Sequence, residues 1–213
     1  MILVMTTAEL MENPSLWEAV YRLRHNIFVE EMGWDDLRRD DELEIDQFDH
    51  DQALHMLSMR DGVLAGYQRM LPTTRPHLLT DILPFLCEGE RPCGPDIYEL
   101  TRYAVAPAYR DGRRGVSTVG SELIAGFVEW GLATGVHSVI IEFEPMWVLR
   151  ALQLRFLARP LGYQKVIGQQ NVVATLLTFD EQTLETVREK RRWHEPVLAR
   201  NPTPFRTPMR IAS

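Results

Sequence analysis

The chain has 213 residues, of which 45% are hydrophobic and 25% charged, with a formal net charge of −7. A chain of this length buries about 70% of its unfolded surface and needs neither a metal nor a disulfide to fold. The acidic balance argues against nucleic acid as a partner, which requires a basic surface. No apolar run reaches the roughly 20 residues that span a bilayer, so we also expect no membrane partner.

The ends and the cysteines point to a cytoplasmic protein. The first residues, MILVM, have no basic region or cleavage site, so we expect no signal peptide. Cys87 and Cys93 lie in a polar loop, and we expect two reduced thiols there rather than a disulfide. No Cys/His cluster has zinc spacing, so we expect no metal site.

Apolar periodicity and turn residues predict strands alternating with helices. Ser15 and Glu18 form a capping-box pattern that marks the start of the first helix, and Asp61-Gly62 between two strand-like runs predicts a type I′ hairpin. Residues 35–51, dense in charge, predict a loop or lid. The predicted strands are 2–5, 53–60, 63–71, 97–106, 136–144, 163–168 and 172–179, and the later predicted helices are 77–82, 117–133, 146–158 and 181–192.

This order of elements indicates an α/β fold with a mixed sheet. The sequence has no internal repeat and no linker. We therefore expect a single domain over residues 1–200, followed by a flexible tail at 201–213 that is rich in proline and arginine.

Three blocks place charged side chains beside large aromatic ones in segments that otherwise resemble core. They are YRLRHNIFVEEMGW (21–34), EIDQFD (44–49) and YELTRYAV (98–105), and Arg69 lies between the last two. Burying a charge is costly unless the charge is paired or bound to a ligand. Four such sites in one half of the chain predict a pocket for a zwitterionic ligand.

The strand at 97–106 carries two charges that ordinary alternation would separate. Glu99 and Arg102 point to opposite faces of a regular strand. A bulge between 99 and 102 would turn both to one side and free a backbone N–H for a ligand carbonyl. The alternatives remain open at this point: a structural Glu99–Arg102 ion pair, and an Arg24 that simply pairs with the acidic stretch 41–49.

These residues resemble the acyl-homoserine-lactone synthases, the LuxI-type autoinducer synthases of bacterial quorum sensing, from about residue 20 to residue 180. The run RMLPTTRPHLL, which begins at Arg69, is also typical of them. The motif positions are Arg24, Phe28, Trp34, Asp46, Asp49, Arg69, Glu99 and Arg102. The resemblance implies a fold like that of the N-acetyltransferases (GNAT), with a mixed central sheet, a bulged and splayed central strand, and flanking helices.

The resemblance also implies an activity and its residues. Such an acyltransferase joins an acyl thioester to the amine of S-adenosylmethionine and then lactonises the product, releasing methylthioadenosine. S-adenosylmethionine is then a substrate, and we expect no cofactor. The catalytic candidates are Glu99, Asp46 and Arg69, with Glu99 the first choice to take the amine proton. The candidates for binding S-adenosylmethionine are Arg24, Phe28, Trp34, Asp46, Asp49 and Arg102, and the individual roles of the arginines stay open.

The acyl chain is expected between the strand 136–144 and the helix that follows it. The candidate lining residues, each of which also fits ordinary core, are Leu123, Val139, Ile141, Phe143, Met146 and Trp147. Family members that make 3-oxo products tend to carry Thr where this chain has Ile141, which favours an acyl chain without that group.

The donor is either acyl carrier protein or coenzyme A. A basic turn with Arg110, Arg113 and Arg114 is expected to dock the carrier or its phosphopantetheine arm, although surface arginines are often only solvated. We expect a monomer. Two other functions remain as alternatives: another GNAT-type N-acyltransferase that acts on a different amine, and a binding module without catalysis.

Overall fold

The structure, a computed structural model, describes residues 1–110, 117–193 and 195–199. The strands are β1 (Ile2–Thr6), β2 (Leu54–Arg60), β3 (Val63–Pro72), β4 (Ile97–Val105), β5 (Ser138–Phe143), β6 (Leu157–Pro160), β7 (Lys165–Ile167) and β8 (Gln170–Thr178). The helices are α1 (Thr7–Met11), α2 (Pro14–Arg24), α3 (Leu78–Asp81), α4 (Thr118–Thr134), α5 (Met146–Gln153) and α6 (Glu181–Arg191).

The strands form one sheet in the order β1-β2-β3-β4-β5-β8-β6, and β7 pairs with β8. β4 and β5 run parallel, whereas the other described neighbours are antiparallel. The predicted α/β fold with a mixed sheet is therefore confirmed.

Each face of the sheet has its own core. On one face, α4 and α6 pack against the strands through a cluster that includes Leu123, Val139 and Leu177. On the other, α2 packs on β2 and β3 around Tyr21 and Tyr67. We call this second face the site face, because Arg69, Glu99 and Thr101 lie on it by register and alternation.

The central strand β4 is bulged and leaves part of its edge open. Arg69 pairs with Thr101 and Tyr67 with Ala104, so two residues of β4 oppose Gln68 alone. The bulge therefore lies at Arg102 and Tyr103, not between residues 99 and 102 as expected. The ladder between β4 and β5 covers only Ile97–Glu99, and the two strands splay apart beyond it.

The bulge has the predicted effect on side-chain direction. Arg102 adopts a φ of 56°, in the left-handed region that a non-glycine residue rarely occupies. Its side chain consequently reaches the site face and lies over the rings of Phe28 and Trp34. Arg102 and Glu99 are thus on one side of the sheet.

The start of the first long helix differs from the prediction. The residue that caps α2 is Asn13, whose side chain accepts from the Leu16 N–H at 3.2 Å, with Pro14 in the first turn. Ser15 lies inside the helix. A short helix, α1, was not predicted, although Thr6 and Glu9 form its capping box. The Ser15–Glu18 pattern does not act as the cap of α2, because the helix has already begun at Pro14.

The prediction of one helix over 146–158 is wrong in its last third. α5 ends at Gln153, and Arg155 takes a φ of 65°. The chain then turns back, so that Leu157–Pro160 pairs with β8 as β6. Strand pairing outweighs helical periodicity here.

The predictions for the hairpin and for the two cysteines are confirmed. Asp61 and Gly62 both have positive φ, 49° and 80°, as a type I′ turn requires. Cys87 and Cys93 are free thiols. No helix within the described ranges is long and apolar enough to cross a membrane. The predicted tail at 201–213 lies outside the described residues.

Candidate active site

The first aromatic block folds into an unusual helix. α2 continues directly into a π-helix, His25–Glu31, which buries Phe28. Such π-helical turns are rare and are frequently found at functional sites. Beyond this helix the chain turns back at Gly33, and the rings of Phe28 and Trp34 stack with centroids 5.1 Å apart.

Arg69 and Arg24 hold the second block against the sheet. Arg69 forms a fork with Asp46, with Nη1–Oδ1 at 2.6 Å and Nη2–Oδ2 at 3.0 Å, and its Nη1 also donates to Asp49 at 2.8 Å. Arg24 donates from Nη1 to Asp49 at 2.7 Å and from Nε to Glu44 at 2.6 Å. Both arginines are fully buried. The strength of buried, charge-assisted pairs explains why this polar loop stays closed on the sheet.

Arg102 completes the arrangement from the bulge. It donates to both oxygens of Glu44 at 3.0 Å and to Asp46 Oδ2 at 2.8 Å. Three guanidinium groups therefore face three carboxylates, so the formal charges cancel. We call this set the ion network; its members are Arg24, Arg69, Arg102, Glu44, Asp46 and Asp49.

The network favours the ionised forms of Glu44 and Asp49. Burial alone would raise the pKa of Glu44, but the Arg24 and Arg102 guanidinium groups outweigh it and lower the pKa to about 2. Burial likewise opposes ionisation of Asp49, and Arg24 and Arg69 hold the pKa of that carboxyl well below its ordinary value. These two carboxylates are thus poor proton acceptors at neutral pH.

Aromatic rings surround the cations. The Arg24 guanidinium lies 4.9 Å from the centroid of Tyr21, and that of Arg102 lies 5.4 Å from Phe28 and 5.7 Å from Trp34. Aromatic faces attract cations, and the attraction grows when water is excluded. The Phe28–Trp34 pair therefore stabilises the Arg102 guanidinium at the edge of the network.

Glu99 lies on the same face but has different partners. Its two oxygens accept from the backbone N–H groups of Leu78 and Leu79, each at 2.7 Å. Burial raises the pKa of Glu99, against the opposing effects of His77 and of these two N–H groups. The environment of Glu99 therefore favours uptake of a proton, whereas that of Asp49 opposes it.

The contacts decide between the readings left open by the sequence. Glu99 and Arg102 are not an ion pair, because Arg102 binds Glu44 and Asp46 while Glu99 binds backbone N–H groups. Arg24 does pair with the acidic stretch, through Glu44. Glu44 was not among the predicted site residues, although it begins the block EIDQFD. The charge balance could have identified Glu44, because three buried arginines need a third carboxylate beside Asp46 and Asp49.

The candidate acyl-pocket residues separate into two groups. Leu123 and Val139 are buried between the sheet and α4, and Ile141 and Phe143 pack on the same cluster. Met146, by contrast, is 53% exposed. The sixth candidate, Trp147, is half-buried on α5 and lies 5.2 Å from the Arg150 guanidinium.

Of the three candidate docking arginines, Arg110 lies within the described residues. Arg110 is exposed, donates from Nε to the Val105 carbonyl at 2.9 Å and pairs with Glu31 at 2.8 Å. Arg113 and Arg114 lie outside the described residues. Docking at this turn stays a prediction.

The sequence matches a family of known proteins. The family model described as autoinducer synthase matches residues 7–187. The isovaleryl-homoserine lactone synthase of Bradyrhizobium diazoefficiens is 31% identical over 183 residues, which cover 84% of this chain and 81% of that protein.

Solved structures extend the likeness to the fold. BjaI, a CoA-dependent acyl-homoserine lactone synthase solved with SAM and isopentyl-CoA, superposes with a TM-score of 0.85 at 28% identity, over 93% of this chain and 92% of that one. An acyl-CoA N-acyltransferase from Pseudomonas aeruginosa shares the fold alone, with a TM-score of 0.58 at 16% identity, over 83% of this chain and 97% of that one. The chain belongs to the autoinducer synthase family and is an acyltransferase of the acyl-homoserine-lactone synthase type.

Proposed function

We propose that this chain condenses an acyl-coenzyme A with S-adenosylmethionine, making an acyl-homoserine lactone and releasing coenzyme A and methylthioadenosine. The observation that carries the proposal is the ion network, capped by the Phe28–Trp34 pair and lying beside the open edge of β4. The choice of coenzyme A over acyl carrier protein is supported by the similarity to BjaI, which was solved with isopentyl-CoA.

S-adenosylmethionine would bind at the ring pair and the network. Its sulfonium is a cation, and the stacked Phe28 and Trp34 offer an aromatic surface for it. Its carboxylate needs a guanidinium, and Arg24 Nη2 is a buried nitrogen with no hydrogen-bond partner among the described residues. In this arrangement Arg69 acts through Asp46 and Asp49, which it holds in place.

The first step forms an amide. The amine nitrogen attacks the thioester carbonyl, the C–S bond breaks, and coenzyme A leaves as its thiol. A free α-amine has a pKa near ~8 and must lose a proton before it attacks. Glu99 takes this proton, directly or through water, because burial raises the pKa of its carboxyl.

The oxyanion of this step needs donors that are already in place. β4 has no ladder to β5 beyond Glu99, and its bulge lies at Arg102 and Tyr103. Backbone N–H groups along this open edge would point into the gap where the thioester carbonyl binds.

The second step closes the lactone. A carboxylate oxygen attacks the carbon next to the sulfonium, that C–S bond breaks, and methylthioadenosine leaves as a neutral thioether. The charges of carboxylate and sulfonium cancel in the process. The reaction is intramolecular, so a curled substrate supplies much of the acceleration. The reaction consumes the two substrates and needs no cofactor.

The acyl chain would enter the apolar region near Leu123, Val139, Ile141 and Phe143, and Ile141 offers no hydroxyl for a 3-oxo group. The test is to supply the full chain with S-adenosylmethionine and a panel of acyl-coenzyme A and acyl carrier protein thioesters. We expect methylthioadenosine and a lactone, identified by mass spectrometry, from a coenzyme A donor without a 3-oxo group. An amide product without methylthioadenosine would instead mean acylation of a different amine.

A further inference from the structure

A second carboxyl, outside the predicted site, lies against Glu99; it belongs to the half-buried Glu142, whose Oε1 is buried. In the parallel ladder Glu99 is level with Ile140 of β5, and Glu142 follows two residues later on the same face. The residue across from Glu142 on β8 is the small Ala174, which leaves room for a long side chain. The carboxyl of Glu142 is within hydrogen-bonding reach of that of Glu99.

The two carboxyls have unequal surroundings. Glu99 accepts two backbone N–H groups and faces two further groups that favour its charged form, His77 from the cap of α3 and Arg69 from β3. Glu142 Oε1 is buried and has no hydrogen-bond partner among the described residues. Two carboxylates in contact do not both ionise readily in a site closed to water. The proton of the pair therefore belongs on Glu142.

We propose that Glu142 is protonated at neutral pH and donates its proton in a hydrogen bond to the Glu99 carboxylate, which makes it a positioning residue for the base of the reaction. This inference rests on the proposed function for the role of Glu99. Burial, and then the charge of Glu99, raise the pKa of Glu142 well above its ordinary value, in agreement with the geometry.

The hydrogen bond from Glu142 would favour the ionised form of the buried Glu99. A buried carboxyl tends to become neutral, and a neutral Glu99 accepts no proton from the substrate amine. A proton donor at Glu142 adds a third hydrogen bond to the Glu99 carboxylate beside those from Leu78 and Leu79. Two carboxylate oxygens have about four acceptor positions, so one remains for the amine or a bridging water.

His77, the residue that caps α3, lies beside the carboxyl pair. Its Nδ1 lies 2.8 Å from the Arg75 carbonyl, which only accepts, so Nδ1 carries a hydrogen. Its Nε2 is buried and has no hydrogen-bond partner among the described residues. His77 supplies a second polar group turned inward next to the carboxyl pair.

The test uses three variants of the full chain. Glu142→Gln keeps a hydrogen-bond donor, Glu142→Met keeps the length but removes the donor, and Glu144→Gln is the matched control, since Glu144 is exposed two residues further along. Infrared spectra at neutral pH report the C=O stretch of a protonated carboxyl. We expect this band in the wild type and in Glu144→Gln, and its loss in Glu142→Gln.

Kinetics provide the second readout. We expect the acid limb of the kcat/KM profile to move to higher pH in Glu142→Met, with kcat lower by about tenfold, the size expected when one hydrogen bond to a charged group is lost. Glu142→Gln should restore the wild-type profile. An unchanged profile in Glu142→Met would overturn the proposal.

An infrared band that survives Glu142→Gln would overturn it as well, and this arm remains decisive if Glu142→Met fails to fold. Absence of methylthioadenosine from wild-type reactions would refute the proposed function instead. The infrared result would still decide whether the carboxyl pair exists.

Discussion

Arg69 grips Asp46 with two parallel hydrogen bonds, Nη1–Oδ1 at 2.6 Å and Nη2–Oδ2 at 3.0 Å, at a site where both residues are buried. The fork joins a strand of the sheet to a loop that also buries Leu43 and Phe48. The loop is consequently held by charge as well as by packing, and loss of a charge from the ion network should affect both folding and binding in this region.

Removing one carboxylate from the network should cost much more than removing an exposed one. Asp46→Asn leaves Arg69 and Arg102 with an uncompensated buried charge, and we expect the free energy of unfolding to fall by about 3 kcal/mol. Urea unfolding measures the change. The matched control is Asp41→Asn, whose exposed pair with Arg39 should be dispensable. Equal losses in the two variants would contradict a cooperative buried network.

Arginine and lysine should not be interchangeable at position 69. Arg69→Lys keeps the charge but cannot bind Asp46 through a fork while also donating to Asp49 and Thr101. We expect a lower unfolding midpoint and a higher KM for S-adenosylmethionine. Arg22→Lys, in an exposed pair with Glu18, serves as the control and should match the wild type in both measurements.

Stability should fall steeply in acid. The folded-state pKa of Glu44 is about 2, against about 4.3 for an unperturbed glutamate, so the unfolded state takes up the proton first as pH decreases. The contribution of Glu44 is thus complete above about pH 4.3 and is lost as pH falls toward 2, with a size on the order of 3 kcal/mol. Urea titrations across this window should show a flatter pH dependence in Glu44→Gln than in the wild type.

The exposed Glu42 provides the control for this titration. Glu42→Gln should leave the acid slope as it is in the wild type. If Glu44→Gln and the wild type lost stability in parallel between pH 4.3 and 2, the ionised Glu44 would not be the group that holds Arg24 and Arg102.

Substitutions of Trp34 and Trp147 should affect the binding of different substrates. Trp34→Ala removes the ring stacked on Phe28, and we expect affinity for S-adenosylmethionine to fall roughly fivefold to tenfold, as for the loss of one aromatic contact with a cation. Trp147→Ala should instead raise the KM for the acyl thioester and leave affinity for S-adenosylmethionine unchanged. Calorimetric titration and steady-state kinetics distinguish the two effects, and a reversed pattern would refute the assignment.

The larger elements were predictable because their signals are local. The hairpin at Asp61-Gly62 and the inward charge of Arg69 are both encoded within a few residues. The errors arise where distant parts of the chain decide. Leu157–Pro160 becomes a strand only because β8 lies beside it.

The site shows the same division. Arg24 and Asp49 stand out in the sequence, but the fold brings Arg24 Nη1 within 2.7 Å of Asp49 Oδ1. Glu44 lacks a distinctive local pattern and is identified only when the three arginines are seen together. The hydrogen bonds from the N–H groups of Leu78 and Leu79 to Glu99 join residues about twenty positions apart in the chain. No local sequence pattern predicts such contacts.

Arg102 combines two requirements in one position. Its backbone takes a φ of 56°, while its guanidinium donates to Glu44 and Asp46. Glycine or asparagine would suit the dihedral angle but carry no cation, and lysine would keep the cation without the planar fork. Substitution by glycine or asparagine therefore changes the backbone preference and the charge together, so the phenotype of either variant cannot be assigned to one contribution alone.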